Sequence, residues 1–212
     1  MYLYNVYNEE ATSDRIRSTF ETIISKAKAE DVFTFFYAGH GVVLPDDKGD
    51  EQFYLVPTEV TGLFDEEKIH KYGISGKQMA KYSKDLAAQK QLIILDACQS
   101  GSLSDAFALR GAAEEKALAQ LARSAGIHLL ASTTSQQYAS EFKELGHGVF
   151  SYVLLKALDG YADGSPMDGK ITVNELKAYL DDQVPEVTAR YKGEAQYPVI
   201  HSKGQDFPVI LK

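Results

Sequence analysis

The apolar positions along the chain fall into two rhythms. Ile16, Phe20, Ile23, Ile24 and Ala27 recur at helical spacing within residues 11–31 and predict an amphipathic helix, with Ser13 or Thr12 as its N-cap. Residues 32–38 (VFTFFYA), 91–95 (QLIIL) and 127–132 (IHLLAS) are instead short continuous apolar runs. Runs of this kind are expected of strands buried on both faces. Residues 2–6 (YLYNV), 53–57 (FYLVP) and 206–212 (DFPVILK) read as further strands, the last at an edge because Pro208 cannot donate to a ladder.

Helices are expected after Ser75, carrying Met79, Tyr82 and Leu86 on one face, and over residues 149–158. Another is expected over 172–182, opened by the capping box Thr172/Glu175 with a staple between Ile171 and Leu176. Residues 99–125 are small, polar and helix-prone, and read as a long mobile connection with some helix. Strands alternating with helices predict an α/β fold: a mostly parallel sheet with helices on both faces. There is no internal repeat, and one domain over residues 1–212 is expected.

Composition narrows the classes of partner. The 212 residues are 44% hydrophobic and 25% charged, ordinary for a globular chain, and the formal net charge is -8. Such acidity disfavours nucleic acid, whose binding depends on Lys and Arg at phosphates, and suits basic partners better. No apolar run reaches the roughly 18 residues that span a bilayer, and no signal peptide is visible. A single cysteine excludes an intrachain disulfide, so a cytoplasmic protein without membrane contact is expected.

Candidate chemistry lies where two apolar runs end. In open α/β sheets sites form beyond the carboxyl ends of strands. One run stops at Gly39-His40-Gly41, the other at Asp96-Ala97-Cys98, and His40 and Cys98 are 58 positions apart. Neighbouring parallel strands, spaced about 4.8 Å, would bring the two together. A thiol needs a base or positive charge beside it to become a thiolate at neutral pH, and an imidazole can later protonate a leaving amine. Glycines beside the histidine let backbone approach a substrate, and the N–H groups of Gly41 and Cys98 could stabilise an oxyanion. A lone cysteine is also an ordinary buried hydrophobe and a histidine between glycines an ordinary turn residue, so spacing alone leaves both readings open.

FYAGHG (36–41) followed by LIILDACQSG (92–101) resembles the caspase-like clan of cysteine peptidases, in particular metacaspases and bacterial caspase homologues. Segments NEEATSDRI, FYLVP, LLAST, ELGHGVFSYVLLKAL, DGKITVNELKAYL, AQYP and DFPV have counterparts there in the same order. The resemblance implies His40 as base, Cys98 as nucleophile, Gly41 with Cys98 as oxyanion hole, and a thioester acyl-enzyme. No cofactor is expected, and no metal-ligating residue is singled out. In metacaspases an Asp matching Asp96 lines the pocket for the residue before the scissile bond. Strand alternation puts Asp96 on the same side as Cys98, where a carboxylate could pair with a substrate Arg or Lys. Cleavage after basic residues is therefore expected, unless Asp96 merely caps a loop. Ser132 and Thr133 are further candidates for substrate contact, and Arg110 for autocleavage, with Lys116 and Arg123 as rivals.

Other signals read as structural. His147 opens a helix, where protonation is disfavoured, and His70, His128 and His201 are scattered. Residues 163–176 faintly resemble a calcium loop, but Gly164 and Pro166 fall where oxygen ligands belong, so a turn into a capped helix is expected. Asp46, Asp47, Asp50 and Glu51 read as a solvated loop. Asp105 matches a calcium-associated Asp of some metacaspases, without a full ligand set.

The chain departs from the family at its start. The family's first strand and helix, where the strand lies beside the one leading to the histidine, have no counterpart here. Leaving that strand out would expose backbone and an apolar flank. The chain is then the C-terminal part of a larger protein, a partner of a separate upstream segment or chain, or a shortened member that repacks. The alternative to a peptidase is a catalytically silent interaction module of the same fold, with hydrolysis of non-peptide amides or esters a remoter third.

Overall fold

The computed structural model describes residues 1–46, 48–62, 65–98, 107–125, 127–132, 148–193 and 195–211, with the backbone alone described at positions 98, 107–112, 114, 124, 192 and 211. Helix α1 (Ser13–Lys26) starts where Thr12 Oγ1 accepts from the Arg15 N–H, and buries Ile16 and Phe20. Strand β1 (Val32–Pro45) and β2 (Glu51–Val56) form an antiparallel hairpin. Helix α2 (Glu66–Tyr72), strand β3 (Ile74–Ser75) and helix α3 (Gly76–Asp85) follow. Ser75 caps α3, its hydroxyl accepting from the Gln78 N–H. Then come β4 (Lys90–Cys98), α4 (Phe107–Ala125), β5 (His128–Ala131) and α5 (Val149–Lys156). The chain closes with β6 (Lys170–Thr172), α6 (Val173–Lys192), β7 (Val199–His201) and β8 (Pro208–Leu211).

Among the described residues the main sheet has six strands in the order β3-β2-β1-β4-β5-β7. Its central strands β1, β4 and β5 run parallel, and the flanking pairs are antiparallel. Strands β6 and β8 pair separately, and Pro208 begins the latter. Period-two alternation in β4 feeds two cores. Ile93, Leu95 and Ala97 join α1, α3 and α4 on one face, while Leu92 and Ile94 join α5 and α6 on the other. The capping box is present: Thr172 Oγ1 accepts from the Glu175 N–H, and a Glu175 carboxylate oxygen accepts from the Thr172 N–H. Ile171 and Leu176, the expected staple pair, are both fully buried.

Four sequence expectations change. First, β1 does not stop at Gly39-His40-Gly41 but continues to Pro45, because residues 40–45 find an antiparallel partner in β2. Second, β1 is not buried on both faces. Phe33, Phe35 and Tyr37 pack on the α1/α3/α4 core, whereas Thr34, Phe36 and Ala38 are exposed, Phe36 at 49%. Helices α5 and α6 cover β4 and β5, and among the described residues nothing covers this face of β1. Third, residues 1–7 form no strand, and Tyr2 and Leu3 are exposed. They pair with no strand among the described residues, and the edge of β1 that meets β2 is paired there only from His40 onward. Fourth, residues 107–125 of the expected mobile connection form one 19-residue helix, which buries Ala117, Leu118, Leu121 and Ala122 in the core. Positions 99–106 lie outside the described residues.

Candidate active site

The parallel register of β1 and β4 builds the site. It runs in step from Val32/Lys90 to His40/Cys98, so positions 40 and 98 are Cα partners on adjacent strands, and Ala38 and Asp96 are partners one pleat earlier. Paired positions in a parallel ladder sit about 4.8 Å apart. His40 is exposed. Cys98 is the last residue of β4, and its side chain is not described.

The residues around His40 explain its glycines. A Cβ on Gly41 would lie 2.6 Å from two ring carbons of Phe53 and 3.2 Å from the Ala97 Cβ. Gly41 is buried, and glycine is there for space in the core. A Cβ on Gly39 would lie 2.7 Å from the Tyr37 hydroxyl. That hydroxyl reaches over Gly39 to donate to the His40 carbonyl (2.9 Å) and lies 3.1 Å from the Val56 carbonyl. It ties the histidine's own backbone to the end of β2. Burial pushes the Tyr37 phenol up to about 12, against the lowering effect of its two carbonyl partners. The sequence reading missed Tyr37 as more than an apolar strand residue. The available signal was a tyrosine in an apolar run two residues before a glycine, since a phenol taken out of water usually needs a hydrogen-bond partner.

Asp96 lies on the face of β4 that meets α5. Its Oδ2 accepts a hydrogen bond from the Ser151 hydroxyl, and it sits 3.6 Å from where a Gly148 Cβ would stand. The carboxylate therefore rests against the first turn of α5, where a helix's positive end favours an anion. Ser151 was also missed. Its only sequence signal is a hydroxyl in the first turn of a predicted helix.

Ser132 follows β5 with its N–H bonded to the Leu95 carbonyl (2.8 Å); its hydroxyl is buried and has no partner among the described residues. Thr133, His147, Asp47 and Asp105 lie outside the described residues. Arg110 is in the first turn of α4, and its side chain is not described. His70 is in α2, with its Nδ1 3.2 Å from the Tyr54 hydroxyl. His128 is buried at the start of β5, its Nε2 3.1 Å from the Gln205 carbonyl and its Nδ1 2.7 Å from the Ser202 hydroxyl. A carbonyl only accepts, so the Nε2–H donates to Gln205. Burial holds His201 below the ordinary histidine range.

Residues 163–176 form the expected turn into a capped helix. Asp163 accepts from the Asp168 and Gly169 N–H groups, and Glu175 accepts from the Gly164 N–H. Asp46 is held down to about 2 by the Lys77 ammonium that donates to it. Among the described residues no group of three or more His, Cys, Asp or Glu side chains could hold a metal ion, and no helix is long and apolar enough to cross a membrane.

A sheet with three parallel central strands, helices on both faces, and a His position of β1 paired with the Cys that ends β4 defines the class: an α/β fold of the caspase-like kind. The caspase domain family matches residues 2–208, and the chain belongs to that family of caspase-like hydrolases. Among solved structures it is similar to a protein from Geobacter sulfurreducens at 16% identity and a TM-score of 0.56, over 96% of this chain and 78% of that one. At that identity the likeness concerns the fold alone. No curated protein matches the sequence.

Proposed function

We propose that the protein is a cysteine endopeptidase that cleaves after Arg or Lys through a His40–Cys98 dyad. The observation that carries this reading is the register that makes positions 40 and 98 Cα partners where β4 ends beside β1. His40 takes the proton of the Cys98 thiol, and the thiolate attacks the scissile carbonyl carbon. The negative charge moves to the carbonyl oxygen, which the N–H groups of Gly41 and Cys98 receive. Collapse of the tetrahedral adduct breaks the C–N bond, and the imidazolium gives its proton to the departing amine. Water, deprotonated by His40, then hydrolyses the thioester and restores the thiol. Asp96 receives the basic side chain, with Ser132 and Thr133 lining the substrate path.

A panel of fluorogenic Arg, Lys and Asp peptides tests this, with Cys98→Ala as control. Activity on Arg and Lys peptides that vanishes in Cys98→Ala is expected. A chain inert towards all three would favour the silent interaction module. Asp96→Ala should lower kcat/KM for Arg peptides by at least about tenfold, as expected when a charge-assisted hydrogen bond is lost. Unchanged Arg cleavage in Asp96→Ala would remove Asp96 from the pocket.

Autocleavage after Arg110 belongs to the same reading. Because position 110 is helical, cutting there requires the first turn of α4 to unwind. Intact-mass analysis beside Cys98→Ala checks it. A further strand, from an upstream segment or a separate chain, is the partner this reading implies. It would pair along residues 32–39 of β1, whose edge towards β2 has no ladder before His40 among the described residues.

A further inference from the structure

We infer that Ser151 is a specificity-positioning residue: its hydroxyl fixes the Asp96 carboxylate plane so that the pocket prefers arginine over lysine. The inference rests on the basic-residue reading above and goes on to say how the two basic side chains are told apart.

Ser151 and Asp96 are 55 positions apart and meet where the first turn of α5 crosses the end of β4. Both are partly buried. A serine in a helix commonly turns its hydroxyl back onto the carbonyl one turn earlier. Here that carbonyl, on Gly148, receives the Tyr152 N–H, and the Ser151 hydroxyl donates across to Asp96 Oδ2 instead. The carboxylate comes so close to the helix start that a Cβ at Gly148 would touch its Oδ2 at 3.6 Å. An ionised carboxylate offers about four acceptor positions, and Ser151 takes one of them. The rest of the group keeps its capacity but loses freedom to rotate about its terminal bond.

That loss of rotation matters differently to the two substrates. An arginine fork is planar and gains most from two parallel bonds to a carboxylate held in a matching plane. A lysine ammonium is a compact charge with rotatable donors and accepts a carboxylate in many orientations. A fixed Asp96 therefore raises arginine affinity more than lysine affinity.

Threonine and valine share a shape and differ by one hydroxyl, so Ser151→Thr and Ser151→Val form the test pair. Each is assayed with Arg and Lys peptides of otherwise identical sequence, with agmatine as competitive inhibitor and a thermal melt alongside. Ser151→Thr should keep the wild-type Arg/Lys ratio within about twofold. Ser151→Val should lose about tenfold in kcat/KM for Arg, mostly through KM, the scale of one hydrogen bond to a charged group. It should lose no more than about threefold for Lys, and agmatine inhibition should weaken with the Arg value. Equal ratios in the two variants overturn the assignment while leaving basic specificity intact. A wild-type enzyme that cleaves neither Arg nor Lys peptides overturns the underlying reading instead. Unfolding of both Ser151→Val and Ser151→Ala assigns the hydroxyl to stability and overturns the positioning role.

Discussion

Replacing Gly41 with alanine puts a methyl group where Phe53 already stands. The new Cβ would lie 2.6 Å from two Phe53 ring carbons and 3.2 Å from the Ala97 Cβ. Carbon atoms in contact ordinarily stay about 3.5–4.0 Å apart, so the overlap with the ring is about 1 Å. Phe53 is 2% exposed and packed among Leu55, Ile93 and Leu121, so it cannot swing clear without moving its neighbours. Overpacking of this kind costs about 1–3 kcal/mol. For a chain of this size each kcal/mol lowers Tm by roughly 2–4 °C, so Gly41→Ala should melt about 2–12 °C below wild type. Urea and thermal denaturation read the effect. Trimming the ring makes the test specific: in a Phe53→Leu background, Gly41→Ala should cost at least about 1 kcal/mol less than in wild type. A Gly41→Ala protein within about 0.5 kcal/mol of wild type, or an identical cost in both backgrounds, refutes the packing explanation of this glycine.

Tyr37 makes stability pH-dependent at the alkaline end. Its phenol is pushed up to about 12 in the folded protein from 10.0 ordinarily, so between those values the unfolded chain gives up a proton that the folded one keeps. Stability from this group is therefore complete below pH 10 and falls as pH rises towards 12, by roughly 2–3 kcal/mol. Tyr37→Phe should show a shallower decline over that window in urea titrations, and parallel curves for the two proteins would contradict the assignment. The same variant removes the hydroxyl that bridges the His40 and Val56 carbonyls and should cost about 1–2 kcal/mol at pH 7. Leu118→Ala should cost about 2–5 kcal/mol by denaturation, because Leu118 is 1% exposed in the core; a neutral effect would return α4 to the status of a loose connection.

The parts of this fold that were legible in the sequence are those decided by local chemistry. Thr12, Ser75 and Thr172 cap their helices because each hydroxyl answers an unpaired N–H one turn later. The apolar run ending at Asp96 was legible because a strand between two helical layers must be apolar on both faces. The parts that were hidden depend on residues far away in sequence. Whether β1 ends at Gly41 or passes through it is decided by β2, and Gly41 itself by the ring of Phe53. Residues 2–6 carry strand-forming side chains, but a ladder partner is not a property of the segment. The buried face of α4 uses alanines as much as leucines, which reads as a polar connection until the helix is seen on the sheet. In the candidate site, His40 and Cys98 were legible as a pair brought together by neighbouring parallel strands, and the register places their positions side by side although β1 runs on past His40. The Ser151–Asp96 bond was not, since nothing local to Ser151 points towards β4.

Cys98 is the chain's one cysteine, so alkylation reports on it alone. The rate of iodoacetamide modification, followed from pH 4 to 10 in wild type and His40→Ala, tests the pairing of imidazole and thiol. The account predicts a wild-type midpoint well below the ordinary thiol value of about 8.5, and a return to that value or above in His40→Ala. The same midpoint in both proteins would contradict it.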